Sequence, residues 1–244
     1  MKRRLLPILM TLVLVCALPI WAAFVTSGDV TNPLVCTAGA TLPDLQAKID
    51  AAADNATITL NSNTEIAAAL QITKNLTLDL NGCTLRMTGD GSVLKVSGRA
   101  TLTIQDSSAE GTGTITGGNA VDGGGVYIDN NATLKMTGGC ITGCHASYGG
   151  GGIRSSGNLY MSGTAKIEKC TSNWGSDDAI WNKEGVIYAD GGTVDGTVNN
   201  QGTIRRSEGA AAETVFNGTV YNRSAGTIIA GIYTVSYTHL TLPT

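Results

Sequence analysis

Aromatic and cationic side chains recur at a regular spacing in the middle of this chain. Tyr127, Arg154 and Trp181 follow one another at equal intervals, and Tyr148 and Trp174 are separated by nearly the same interval. Aromatic faces stack on the apolar faces of sugar rings, and interleaved cations attract acidic groups. These five residues are therefore the candidate binding residues, and an extracellular glycan is the predicted ligand. The plain alternative is that exposed aromatic residues simply suit β-strands.

Catalysis on a glycan would need carboxylates that converge from adjacent turns of the chain. Asp177 and Asp178 are adjacent, but they precede Ile180 in a turn, where such residues commonly cap a corner. The outward positions of one predicted strand are chemically mixed and include no acid cluster: Asp79, Gln105, Lys135, Tyr160 and Ile187. We therefore predict no catalytic residue and no cofactor.

Six cysteines occur in the chain, and five of them lie beyond residue 22. An odd number argues against a complete set of intramolecular disulfides. Cys144 and Cys170 are separated by the same interval as Tyr148 and Trp174, so stacked turns would bring them within disulfide range. The alternative for this pair is a buried ladder of apolar thiols. Cys140 and His145 add zinc-ligand residue types nearby, but strand alternation would direct the four side chains apart, so no metal site is predicted.

The elements that must position these residues belong to a repeat. An apolar-x-apolar pair recurs about every 26 residues, a period that is typical of solenoids. Its members are Leu76/Leu78, Leu102/Ile104, Leu134/Met136, Leu159/Met161 and Val186/Tyr188.

Each period contains two further strand positions. One is marked by Leu94/Val96, Val126/Ile128, Ile153/Ser155 and Ile180/Asn182, with Lys95, Tyr127, Arg154 and Trp181 directed outward, and the other by Ile115, Ile141, Ile167 and Val194. Apolar residues alternate over only three to five positions at a time, and Gly, Asn, Asp, Ser and Thr separate these runs. This pattern leaves no room for a helix within the period. A leucine-rich repeat has one strand per turn and does not fit. The prediction is an all-β, right-handed parallel β-helix of about seven three-stranded coils, with tight glycine corners at Gly123–Gly125 and Gly149–Gly152.

These motifs are similar to those of a known group of proteins. DLNGCTL from Asp79, GTITGG from Gly113, GGGVYI from Gly123 and MTGGCITG from Met136 resemble the secreted parallel β-helix proteins of the pectin-lyase-like superfold. The resemblance covers roughly residues 42–233 and favours the glycine-rich versions found in large bacterial surface proteins. It implies the fold, whereas the superfold's functions range from lyases and hydrolases to adhesins and inert stalks.

The resemblance also bears on Asp177 and Asp178. Hydrolases of this superfold use paired Asp with a nearby His, but this chain lacks the Asn-Thr-Asp and Gly-His-Gly motifs that accompany the pair there. The double Asp therefore does not by itself predict hydrolysis.

Both ends of the chain differ from the repeat. Residues 1–22 combine a basic start, an apolar run and small residues, which predicts a secretory signal peptide rather than a membrane-anchoring helix. Residues 23–40 are predicted as an extended leader and residues 41–234 as the β-helix domain, whose first coil is covered by a short amphipathic helix. Residues 235–244, VSYTHLTLPT, resemble the in-frame translation of a transposase sequencing adaptor, so we expect the natural chain to be cut short near Thr234.

Charge argues against a nucleic-acid partner. The formal net charge is -3, and removal of the three basic residues of the signal would make it -6. No Lys/Arg cluster exists beyond Arg205 and Arg206, whereas nucleic-acid binding usually shows as a basic patch.

The sequence therefore predicts a secreted, non-enzymatic segment of a larger bacterial surface protein, with no membrane span after signal cleavage. It would act as a stalk or adhesin and contact a glycan or a host or cell-wall surface. One alternative is a polysaccharide lyase or glycoside hydrolase whose catalytic coils are missing or diverged. Another is a purely structural spacer. The sequence leaves the oligomeric state open.

Overall fold

The computed structural model describes residues 34–36, 42–175 and 177–229. These residues form stacked parallel strands and one short helix, which confirms the predicted all-β parallel β-helix. The signal peptide of residues 1–22, most of the leader of residues 23–40 and the adaptor-like residues 235–244 lie outside the described residues. Those three predictions and the right-handed winding stay predictions.

Within the described residues the chain passes through seven complete coils, each coil being one turn of the solenoid. Strand β1 (Leu34–Cys36) and helix α1 (Leu42–Ala51) precede the first coil. Coils one and two contain β2 (Ala56–Leu60), β3 (Thr64–Ile66), β4 (Leu70–Ile72), β5 (Leu76–Asp79), β6 (Thr84–Met87) and β7 (Leu94–Val96). Coils three to five contain β8 (Thr101–Gln105), β9 (Thr114–Thr116), β10 (Asn119–Asp122), β11 (Val126–Ile128), β12 (Thr133–Met136), β13 (Cys140–Thr142), β14 (His145–Gly149), β15 (Ile153–Ser155), β16 (Asn158–Met161), β17 (Lys166–Glu168), β18 (Thr171–Ser172) and β19 (Asp178–Asn182). Coils six and seven contain β20 (Val186–Ala189), β21 (Thr193–Val194), β22 (Thr197–Asn200), β23 (Thr203–Arg205), β24 (Val215–Phe216) and β25 (Val220–Asn222), and β26 (Thr227–Ile228) begins the next turn.

The strands assemble into four sheets, of which three run the length of the solenoid. Sheet A has the order β1-β2-β5-β8-β12-β16-β20-β23-β26, sheet B the order β3-β6-β9-β13-β17-β21-β24, and sheet C the order β4-β7-β11-β15-β19-β22-β25. Sheet D consists of β10, β14 and β18, so coils three to five have a fourth strand. The prediction of three strands per coil was wrong there, because these extra strands are mostly small and polar and carry little apolar alternation.

The apolar side chains of sheets A, B and C point inward and stack in ladders. Leu102, Leu134 and Leu159, for example, align in successive strands of sheet A and are fully buried. Burial of such side chains on every coil is the main stabilising contribution to the fold. The predicted inward phase is confirmed for sheets B and C and for the first four copies of the sheet A repeat.

The predicted phase of the fifth copy was wrong by one position. Ile187 aligns with Leu159 and is buried, whereas Tyr188 aligns with Tyr160 and points outward. The three consecutive apolar residues from Val186 allow either phase, and burial selects the one that places Ile187 and the small Ala189 inside.

The predicted outward row of sheet A was wrong for a similar reason. Asp79 pairs with Gln105 as expected, but Lys135 pairs with Thr103 rather than with Gln105. Ile187 belongs to the inward row.

Helix α1 covers the start of sheet C, as predicted. Leu45 and Ile49 are 0% and 2% exposed. The Gln46 side-chain amide donates to the Gln71 carbonyl at 3.2 Å and accepts from the Gln71 amide at 2.9 Å. Lys74 Nζ donates to two carbonyls at the end of the helix, at 2.6 and 2.9 Å, which satisfies orphan acceptors there.

Later coils are shorter and are joined by an asparagine ladder. Ile180 pairs with Val198, an interval well below that between Ile153 and Ile180. Asn182 Nδ2 donates to Asn200 Oδ1 at 2.7 Å, and Asn200 Nδ2 donates to Asn222 Oδ1 at 2.7 Å. The stacked amides link three coils at the corner that follows sheet C.

Candidate functional site

The outward side chains of sheet C form a ladder in which cations and aromatic rings alternate. Lys95, Tyr127, Arg154 and Trp181 align in β7, β11, β15 and β19, as predicted. The Arg154 Cζ atom lies 4.5 Å from the Tyr127 ring centroid and 6.0 Å from the Trp181 centroid. Lys95 Nζ lies 5.4 Å from the Tyr127 centroid. The ladder is therefore a continuous series of cation–π contacts.

Sheet D changes the surroundings of this ladder, because its strands lie directly before those of sheet C in coils three to five. The register of β10 and β14 shifts so that Val121 opposes both Ser147 and Tyr148. A bulge of this kind redirects side chains. Val121 and Tyr148 are consequently 70% and 47% exposed. Val121 was not predicted as a candidate, because a single valine beside small residues gives no distinctive signal.

A tight turn carries Trp174 next to Tyr148. Ser172 and Gly175 exchange two backbone hydrogen bonds of 2.9 and 3.2 Å, and the Trp174 amide donates to Ser172 Oγ at 3.1 Å. Trp174 is 57% exposed, and its ring centroid lies 4.3 Å from that of Tyr148. Tyr148 lies 5.2 Å from Trp181, which is only 9% exposed. We call Tyr148, Trp174 and Trp181 the aromatic patch: two exposed rings that rest on a buried third.

The predicted glycine corner between β14 and β15 is present and holds Trp181 in place. A Cβ atom on Gly149 would lie 3.0 Å from Trp181 Cε3, and one on Gly151 would lie 2.2 Å from a carbonyl oxygen of the next coil. Gly150 has a φ of 66°, and its amide donates to the buried Asp178 Oδ2 at 3.1 Å. The corner therefore needs glycine both for close approach and for backbone conformation.

Arg154 is a cation with little solvent contact and no hydrogen-bond partner among the described residues. The residue is 7% exposed, and its Nε and Nη1 atoms are buried without a hydrogen bond, whereas Nη2 keeps solvent contact. Asp122 Oδ1 is likewise buried without a partner, and burial raises the pKa of the Asp122 carboxyl against the opposing effect of Arg154 and Lys183. In the part of the chain that the structure describes, Arg154 forms no ion pair.

A second ladder of the same residue types lies on the outer face of sheet A. Its members, which we call the tyrosine ladder, are Lys135, Tyr160, Tyr188 and Arg205. The two tyrosine rings stack in parallel with centroids 4.1 Å apart. Lys135 Nζ lies 5.7 Å from one ring and Arg205 Cζ lies 5.3 Å from the other. This ladder was not predicted, because the repeat spacing placed Tyr188 inside; the alternation of Ile187 and Ala189 was the signal that could have revealed it.

A polar groove of about 380 Å³ lies between sheets B and C in coils five to seven. Of the adjacent Asp pair, Asp177 lines the groove, whereas Asp178 is 3% exposed and holds the glycine corner. Glu168 and Asp195 also line it, and Lys166 Nζ lies 2.6 and 3.5 Å from their carboxylates. The hydrogen bond from Lys166 holds the pKa of Glu168 below its usual range. The groove is therefore polar, and Lys166 partly neutralises its carboxylates.

The cysteines of coils four and five are free thiols in the structure. Cys144 and Cys170 are both buried, at equivalent positions directly before β14 and β18. Burial raises the pKa of Cys140 to about 11, and His145 Nδ1 lies 2.9 Å from Thr171 Oγ1. A disulfide between Cys144 and Cys170 stays a prediction. Across residues 34–36, 42–175 and 177–229, no group of three or more His, Cys, Asp or Glu could hold a metal ion.

Comparison with known proteins adds no relative. No family model, no curated protein and no solved structure matches this chain. In the part of the chain that the structure describes, no helix is both long enough and apolar enough to cross a membrane.

Proposed function

We propose that this protein is a non-enzymatic, extracellular β-helix segment of a larger bacterial surface protein. It acts as a stalk or adhesin and binds a glycan through the aromatic patch and the adjoining residues Tyr127 and Arg154. The observation that carries this proposal is the pair of exposed rings, Tyr148 and Trp174, supported from below by Trp181. The glycine-rich motifs support the setting, because they resemble those of pectin-lyase-like proteins on bacterial surfaces.

The geometry suits a sugar ring for two reasons. Exposed aromatic rings offer an apolar face at little conformational cost, and such faces stack on the C–H groups of sugars. Trp174 is held by its turn and Trp181 by the glycine corner, so the rings are positioned before a ligand arrives. The stack of coils suits a stalk, since seven coils at a strand spacing of about 4.8 Å extend roughly 34 Å.

The test is a binding measurement on the full chain. A glycan array identifies a ligand, and titration calorimetry then compares the wild type with Trp174→Ala. Tyr221→Ala is the matched control, because Tyr221 is a 39% exposed aromatic residue on the same sheet but outside the patch. We expect Trp174→Ala to weaken binding by about tenfold or more, and the control to bind like the wild type.

Two outcomes would contradict the proposal. Equal loss in both variants would mean that the patch is not the binding face, and absence of any binding would leave a structural spacer. The same samples are assayed for cleavage of the bound glycan. Cleavage products that disappear in Asp177→Asn would favour the alternative, a lyase or hydrolase that works in the polar groove.

A further inference from the structure

Arg154 carries hydrogen-bond donors that the described residues do not satisfy. A guanidinium carries five N–H donors, and burying a charged group without a hydrogen-bond partner is costly. Arg154 is 7% exposed and two of its nitrogen atoms are buried without any acceptor. These buried donors leave the charge of Arg154 without compensation among the described residues, and an external anion at the solvent-facing Nη2 atom would compensate it.

The neighbours of Arg154 fix the orientation of its guanidinium. Tyr127 and Trp181 flank it at 4.5 and 6.0 Å, and a Cβ atom on Gly123 would lie 3.1 Å from the Arg154 Cβ atom. Rings that stack on a guanidinium leave its edge free for hydrogen bonds. The Nη2 atom keeps solvent contact, and Trp181, which flanks it, belongs to the aromatic patch. A group that binds at the patch can therefore reach Nη2, whereas Nε and Nη1 stay buried.

Asp122 is a carboxylate of the described chain on whose charge Arg154 acts. Its Oδ1 atom is buried and unpaired, and Arg154 and Lys183 act on its charge, but it forms no ion pair with Arg154. The two groups attract each other at a distance, and neither satisfies the other's hydrogen bonds. Asp122 can therefore be tested as a competitor of an external anion.

We infer that Arg154 binds an anionic substituent, a carboxylate or a sulfate ester, of the glycan on the aromatic patch. This inference rests on the proposed function and narrows it to acidic glycans. A carboxylate or sulfate oxygen accepts a hydrogen bond from the solvent-facing Nη2 atom of Arg154, and such charge-assisted bonds are the strong ones. Because Arg154 is only 7% exposed, solvent screens the contact little, which strengthens it further.

The test uses three oligosaccharides with one backbone: a β-1,4-glucan hexamer, its C6-carboxylated form and its C6-sulfated form. Affinities are measured by titration calorimetry on the full chain. We expect the wild type to bind one or both acidic forms about ten- to hundred-fold more tightly than the neutral form. The two acidic arms identify which anion the site prefers.

Three variants assign that preference to Arg154. Arg154→Gln removes the charge and should reduce the affinity for the acidic forms to that for the neutral form. Arg154→Lys keeps the charge but not the planar guanidinium that lies between the two rings, so it should lose most of the preference, and it replaces Arg154→Gln if that variant loses the native circular dichroism spectrum. Arg205→Gln is the matched control, because Arg205 also stacks on a tyrosine, at 5.3 Å, but lies on sheet A; it should keep the preference.

Asp122→Asn distinguishes an external anion from Asp122 as the partner of Arg154. Removing a competitor should leave the acidic preference intact or increase it. Loss of thermal stability in both Arg154→Gln and Asp122→Asn, with no change in preference, would overturn the inference and identify a structural pair. Equal wild-type affinity for all three glucans, with Trp174→Ala still impaired, would overturn the inference while the proposed function stands. Failure of all three glucans and of every array glycan to bind would remove the proposed function itself.

Discussion

Two outer faces of this β-helix carry ladders of the same residue types, yet they differ in what surrounds them. On sheet A, the tyrosine ladder has its cations at the two ends, and its rings stack on each other at 4.1 Å. On sheet C, cations alternate with rings, and the short sheet D lies beside them in coils three to five. Arg154 and Trp181 are buried there, whereas Lys135 and Arg205 on sheet A are exposed. The difference shows that the burial of such a ladder depends on the neighbours that cover it, not only on the residue types that it displays.

The largest expected effect comes from filling the space at the glycine corner between β14 and β15, where sheet D packs against sheet C. Gly151→Ala would place a Cβ atom 2.2 Å from a backbone oxygen, so we expect a loss of about 3 kcal/mol in the free energy of unfolding. Gly175→Ala is the matched control, because nothing lies within 4 Å of its added Cβ atom. Urea denaturation measures both variants. Equal stability of the two would contradict the role of the corner.

A second prediction compares one aromatic residue from each ladder. Trp181→Ala empties a well-packed site and should cost about 3 kcal/mol of stability. Tyr188→Ala removes a half-exposed stacked ring and should cost only about 1 kcal/mol. Urea denaturation of the two variants checks the ranking. The reverse order would mean that the stacked tyrosines, and not the patch, anchor the outer surface.

A third and smaller effect concerns two carboxylates with opposite pKa shifts. Burial acts to raise the pKa of Asp106, beside sheet A, but hydrogen bonds from Ser108 and the Gly82 and Gly113 amides lower it below its usual range. Burial raises the pKa of Asp122, beside sheet C. The stabilisation from Asp106 is therefore present above its unfolded-state pKa and is lost as pH falls through its folded-state pKa. The native state instead gains stability from Asp122 as pH falls through its raised pKa, and loses it as pH rises.

Urea denaturation across acidic to neutral pH tests this contrast. At neutral pH, Asp106→Asn should cost about 1 kcal/mol, and the deficit should shrink in acid. Asp122→Asn should be as stable as the wild type or more stable at neutral pH. A parallel pH dependence for the two variants would refute the opposite shifts.

The sequence predicted the parts of this fold that depend on alternation along the chain. The coil, the register of Tyr127, Arg154 and Trp181, and the glycine corners all follow from spacing, because stacked strands repeat one inward-outward phase. Sheet D was missed because its strands contribute few apolar side chains. Tyr188 was misplaced because three successive apolar residues fit either face. The burial of Arg154 was not predictable, since the residues that cover it come from other coils.

The Gln46 amide affects whether strand β4 can pair with a strand of another copy of this protein. It makes to Gln71 the two backbone hydrogen bonds that a neighbouring strand would make. An open strand at that position would recruit strands from other molecules, and solenoids stacked end to end would grow into fibrils. The Gln46 side chain thus occupies two edge groups of β4 and keeps another strand from pairing with them. Because an amide does not titrate, this protection of the β4 edge holds in acid as it does at neutral pH.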